Sequence, residues 1–128
     1  MPPRYTLKIV TDFASAHTLR DYPGPCSQMH GHNWKVEVQV SASQLDAAGM
    51  VMDFKLIKEA ARQLCAQLDH RYLNEIPPFD HINPTAENIA CHCYRELSKT
   101  LNTTRVRVSG VTIWETDRAC ASYSEDIE

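Results

Sequence analysis

The nine residues CSQMHGHNW, Cys26 to Trp34, set a thiol four positions before two histidines that flank one glycine. His30 and His32 are two apart, so on an extended backbone both imidazoles leave the same face and can converge on one ion. Gly31 between them leaves room for close approach. A third imidazole, His17, closes the stretch FASAH, which an antiparallel hairpin would lay beside the start of HGHNW. Three neutral imidazoles suit Zn²⁺, and three protein ligands leave a fourth position for water or substrate, as in catalytic rather than structural zinc sites. HGH alone is equally what a loop with two solvated histidines looks like. His17 is what moves the reading toward a metal.

The remaining reactive side chains carry two readings each. Cys26 lies just before the candidate ligands, where a nearby metal or imidazolium would lower its pKa and make it a usable base or nucleophile. It could instead be a fourth zinc ligand, closing the site, or an inert loop thiol. Asp69-His70 could be a carboxylate orienting an imidazole for proton transfer, or a charge pair at a helix end. Glu87 is explained by a favourable position in the first turn of a helix. Glu115 follows the apolar VTIW, where a charge must meet solvent or a ligand, and a carboxylate there can accept a pair of donors from an amino-pyrimidine edge. His81 and His92 have no partner at ligand spacing and read as surface residues. Cys65 suits a helix core, whereas Cys91 and Cys93 are i and i+2 on a helix and chelate poorly.

Positioning these groups requires elements with definite periods. Tyr5, Leu7 and Ile9 alternate in a segment from Tyr5 to Phe13, and Val36, Val38 and Val40 alternate in a segment from Lys35 to Val40. Both predict half-buried strands. The loop between them, RDYPGPCSQMHG, makes them an antiparallel hairpin with a long tip, and long loops in compact domains are disproportionately functional. Asp53 caps a predicted helix with Ile57, Ala61, Leu64 and Leu68 on one stripe, ending near Asp69. After the Pro-rich EIPPFDHINP, Thr85 caps a second helix with the stripe Ile89, Cys93, Leu97. Val106, Val108, then Val111, Ile113 alternate across a Ser-Gly interruption that reads as a bulge or bend, and Ala119 to Tyr123 returns as a last strand. The order ββααββ predicts an α+β fold, a four-stranded antiparallel sheet with both helices on one face. Its two unpaired edges invite oligomerisation.

Composition narrows the function classes. At 128 residues the expectation is one domain, 1–128. Thirteen Lys and Arg against sixteen Asp and Glu, scattered rather than striped, give no footprint for nucleic acid. No apolar run approaches bilayer length, and MPPRYTLKIV lacks the layout of a secretory signal, so no membrane partner and a cytoplasmic location are expected. Five cysteines cannot all pair within one chain, so reduced thiols are expected, and the sequon Asn102-Thr103-Thr104 carries no meaning without secretion.

The ordered set FASAH, CSQMHGHNW, GMVMDF, LDHRYLN, NPTAEN and WET, which spans nearly the whole chain, resembles the 6-pyruvoyl-tetrahydropterin synthase / 6-carboxy-tetrahydropterin synthase family. The resemblance implies the tunnelling fold, in which ββααββ subunits join sheets into a barrel and two rings stack, commonly a homohexamer as a dimer of trimers with active sites between subunits. It implies zinc on His17, His30 and His32, proton transfer by Cys26, Asp69 and His70, and a pterin substrate anchored by Glu115 with help from Thr85 and Glu87. The short spacing from Cys26 to His30 is similar to the bacterial 6-carboxy-5,6,7,8-tetrahydropterin synthases of queuosine biosynthesis, which convert 7,8-dihydroneopterin triphosphate with release of acetaldehyde and triphosphate. The sister 6-pyruvoyl enzyme is the nearest alternative. A non-catalytic zinc protein with Cys26 as fourth ligand is the alternative of another class. A zinc hydrolase fits less well, because no Glu lies within the HGH segment to activate water.

Overall fold

The computed structural model describes residues 3–24 and 28–125. Strands β1 (Tyr5–His17) and β2 (His30–Ala42) are followed by helix α1 (Phe54–Leu68), a two-residue strand β3 (Arg71–Tyr72) and a 3-10 turn (Leu73–Glu75). Helix α2 (Ala86–Leu101), β4 (Arg107–Thr116) and β5 (Ala119–Tyr123) complete the order. The sheet runs β3-β1-β2-β4-β5, with β3 parallel to β1 and every other pair antiparallel.

The expected architecture holds, with five strands in place of four. The extra strand pairs only Arg71 and Tyr72 with Ser15 and Ala16. Two residues are too few for an alternation to be visible in sequence. The hairpin strands also run farther than their apolar alternation suggests, because the small residues of FASAH hide the period while the ladder continues to the pair His17 and His30. The candidate ligands therefore stand on strands and not on the loop.

Both helices start where their caps predict. The Asp53 carboxylate accepts from the Lys55 N–H at 2.9 Å, and Thr85 Oγ1 accepts from the Asn88 N–H at 3.1 Å. The stripes Ile57, Ala61, Leu64, Leu68 and Ile89, Cys93, Leu97 are all buried. They meet Ile9 and Phe13 of β1, Trp34, Val36, Val38 and Val40 of β2, and Val108, Val111 and Ile113 of β4 in one apolar cluster. Odd positions of β1 and even positions of β2 thus share the helix-covered face. The Ser-Gly interruption is a bulge: Val40 pairs with Val108 and Gln39 with Gly110, leaving Ser109 as the extra residue.

One surface assignment is corrected. His92 is half-buried, its ring edge-on to Phe79 with centroids 5.3 Å apart, and burial lowers its pKa. The Pro-rich connection folds back over α2 and covers the position, which the helix stripe alone leaves outside. His81 is exposed as expected. Among the described residues, no helix is long and apolar enough to cross a membrane.

Candidate metal centre

Strand register assembles the site. His17 stands opposite His30, and Ser15 opposite His32, so the three imidazoles share the helix-covered face at the loop end of the hairpin. Trp34 lies beneath them, fully buried, with its ring centroid 4.9 Å from His17 and 5.1 Å from His32. Glu115 joins from β4. That strand pairs Trp114 with Lys35 of β2, and one step farther along the apolar-facing positions Val111 and Ile113 comes Glu115. One ligating atom from each of His17, His30, His32 and Glu115 lies within 4.8 Å of all the others.

The outer hydrogen bonds fix which nitrogens face inward. His17 Nδ1 donates to the Pro84 carbonyl at 2.8 Å, and His30 Nδ1 to the Gln28 carbonyl at 2.8 Å. A neutral imidazole whose Nδ1 carries the proton presents a lone pair at Nε2. The two Nε2 atoms stand 2.9 Å apart, so two lone pairs point at each other. A proton or a cation between them must relieve that repulsion. Burial disfavours the proton: desolvation lowers the pKa of His17, and His30 lowers it further. His32 is lowered by desolvation too, against the opposing pull of the Glu115 carboxylate. Its Nε2 is buried and makes no hydrogen bond, although a Glu115 oxygen is 3.2 Å away at a poor angle. Lone pairs converging without donors, beside one carboxylate, fit a divalent cation of the first transition row.

Gly31 is not required by contact within the chain. A Cβ there would meet only the Ser15 carbonyl oxygen, at 3.9 Å. The room expected from it is open surface on the other side of the sheet.

The expected substrate-binding residues also gather here. Glu87 and Glu115 line one cavity of about 180 Å³ with Ala86, Ala119, Cys120 and Ala121, at the start of α2 and the β4–β5 turn. Thr85, which caps α2, immediately precedes this wall. The contact between Glu115 and His32 was not visible in sequence, since it depends on the register of β4 against β2.

Asp69 and His70 are bonded to each other but stand outside the group of four. The Asp69 carboxylate accepts from the Ala14 N–H at 2.8 Å and lies 2.9 Å from His70 Nδ1. The Ala14 N–H and then His70 hold its pKa below the usual carboxylate range. His70 adopts a left-handed backbone, φ 55°, and donates its N–H to the Ala14 carbonyl at 2.6 Å. Its imidazole is 83% exposed. Both Ala14 bonds run along the edge of β1 that β3 occupies farther on, so this pair faces away from the hairpin partner. Cys26 lies outside the described residues.

Comparison with known proteins decides the family. The model for 6-pyruvoyl tetrahydropterin synthase matches residues 6–126. The chain belongs to that family. Among relatives of this 6-pyruvoyl tetrahydropterin synthase family, a provisionally named 6-carboxy-5,6,7,8-tetrahydropterin synthase of Archaeoglobus fulgidus is 41% identical over 102 residues, covering 79% of this chain and 84% of that protein. The 6-carboxy-5,6,7,8-tetrahydropterin synthase of Aquifex aeolicus is 30% identical over 124 residues, covering 79% and 76%. The solved 6-pyruvoyl tetrahydropterin synthase of Caenorhabditis elegans superposes with a TM-score of 0.85 at 26% identity, over 97% of each chain.

Proposed function

We propose that the chain is a zinc-dependent 6-carboxy-5,6,7,8-tetrahydropterin synthase, converting 7,8-dihydroneopterin triphosphate to 6-carboxy-tetrahydropterin with release of acetaldehyde and triphosphate, a step toward queuosine. The observation that carries the reading is the convergence of His17, His30 and His32 Nε2 beside the cavity that holds Glu115 and Glu87. The carboxy-synthase names of the sequence relatives support the choice of product.

Zinc held by the three imidazoles would act as a Lewis acid that stabilises negative charge on the hydroxyl oxygens of the substrate side chain. Glu115, with Glu87 near it, accepts hydrogen bonds from the amino-pyrimidine edge and so fixes the ring. Cys26, as thiolate, takes a proton from the side chain. Asp69 holds His70 Nδ1, which leaves Nε2 of the exposed ring free to accept or give a proton.

An exposed His70 turned away from the cluster suits a site shared between chains. The edge of β1 from Tyr5 to Phe13 pairs with no strand among the described residues, and β5 is the other edge. Joining such edges would close a ring, and stacking two rings would give the expected homohexamer, a dimer of trimers in which His70 serves a neighbour's pterin.

The deciding experiment incubates the zinc-loaded protein with 7,8-dihydroneopterin triphosphate and identifies the pterin by mass, with an assay for acetaldehyde. A carboxy-pterin with acetaldehyde is expected. A pyruvoyl-pterin would move the chain to the sister activity, the reading that the Caenorhabditis elegans neighbour favours. The Cys26→Ala variant should lose turnover with zinc content intact; loss of zinc in that variant would make Cys26 a ligand instead.

A further inference from the structure

Backbone pairing between β1 and β3 ends at Ala16 and Tyr72, one residue short of His17. Two asparagine side chains continue it. Asn74 accepts from the Thr18 N–H through Oδ1 at 2.8 Å and donates through Nδ2 to the Thr18 carbonyl at 2.8 Å. Asn83 treats Arg20 the same way, at 2.8 and 3.0 Å. Each amide supplies one acceptor and one donor, so it satisfies both backbone groups of one residue as a neighbouring strand would. The Arg20 guanidinium donates back to the carbonyls of Asn74, Phe79 and Ile82 at 3.3, 2.7 and 3.2 Å. Asn88 donates to the Asn83 carbonyl at 2.8 Å, and the Tyr72 hydroxyl to Thr18 Oγ1 at 2.8 Å.

These bonds close a ring around the first imidazole. Thr18 follows His17 in the chain, and Asn83 precedes Pro84, whose carbonyl accepts from His17 Nδ1. The amides therefore hold both the backbone that carries the imidazole and the carbonyl that orients it.

We propose that Asn74 and Asn83 are positioning residues for the metal centre: by pairing Thr18 and Arg20 to the connection before α2, they aim His17 Nε2 at His30 and His32. The proposal rests on the metal reading above. Neither asparagine contributes an atom to the group of four. Partners that orient a ligating histidine typically change metal affinity by about 10- to 100-fold when removed.

The test adds Co²⁺ to the full-length protein, stripped of metal, and records its visible absorption, which reads ligand geometry, through a titration that reads affinity. The variants are Asn74→Ala, Asn83→Ala and Asn83→Asp. The last keeps the size and the acceptor toward the Arg20 N–H but removes the donor. Asn102→Ala serves as control, because Asn102 Oδ1 accepts from the Val108 N–H at 2.7 Å at the far end of α2. The expected result is weaker Co²⁺ binding by about 10- to 100-fold and an altered spectrum in the alanine variants, with Asn83→Asp intermediate. Asn102→Ala should lower the melting temperature and leave the spectrum unchanged. Wild-type affinity and spectrum in folded Asn74→Ala and Asn83→Asp would overturn the proposal; if the alanine variants do not fold, Asn83→Asp decides it. A wild-type protein that takes up no Co²⁺ would overturn the metal reading and this inference with it.

Discussion

Glu115 stands at the boundary between two jobs, since it lies 3.2 Å from His32 and also lines the cavity shared with Glu87. If its work is to hold the pterin ring, Glu115→Gln should retain a full complement of metal and weaken pterin binding by about 10- to 100-fold, the loss expected for charge-assisted hydrogen bonds. Metal analysis and a binding titration separate the outcomes; a metal-depleted variant would make Glu115 a ligand. The histidines give a second prediction. Unfolded, His17 and His32 titrate near 6.5, and burial lowers both in the fold. Between those values the unfolded chain binds more protons, so stability rises with pH there and is lost as pH falls from about 6.5 toward the lower folded values. Thermal melts of chelator-treated protein from about pH 8 to 5 should show that decline, and it should be shallower in His32→Asn. The three histidines were legible from the HGH spacing together with the hairpin that lays His17 beside it. The Pro84 and Gln28 carbonyls that orient them were not, because a backbone oxygen leaves no mark on residue type.

Helix α2 carries the site at its first turn, so its cap matters beyond the helix itself. Thr85→Ala removes the acceptor for the Asn88 N–H and should cost about 0.5–2 kcal/mol of stability by chemical denaturation. A loss near zero would mean that the Asn88 amide bond to Asn83 holds the helix start alone. Both helices could be read in advance because their apolar stripes and caps agree, two independent signals for one boundary. The short β3 and the burial of His92 could not. Each arises where the connection between the helices packs on another element, β1 in the first case and α2 in the second, and hydropathy carries no record of such a contact.

For the molecule as a whole, the separation of Asp69–His70 from the imidazole cluster has a kinetic signature. If a working site takes Cys26 from one chain and His70 from another, Cys26→Ala and His70→Ala are each inactive alone. Unfolded together at equal amounts and refolded, they should recover about a quarter of wild-type turnover through sites that happen to combine two intact halves. No recovery from mixed oligomers would place both groups on the same chain. The α+β class and the ββααββ order follow from periodicity within one chain. Quaternary arrangement is a property of edges and faces that one sequence shows only as places left unpaired.

The position of Trp34 makes the protein its own optical probe. The chain has two tryptophans, and only Trp34 lies against the imidazoles, sealed from water. Trp114 sits instead against Lys35 and Glu37. In a Trp114→Phe background, the emission of the remaining indole would rise or fall with whatever charge enters the imidazole cluster above it. Occupancy could then be followed in real time, without a label, a chromogenic metal or a substrate.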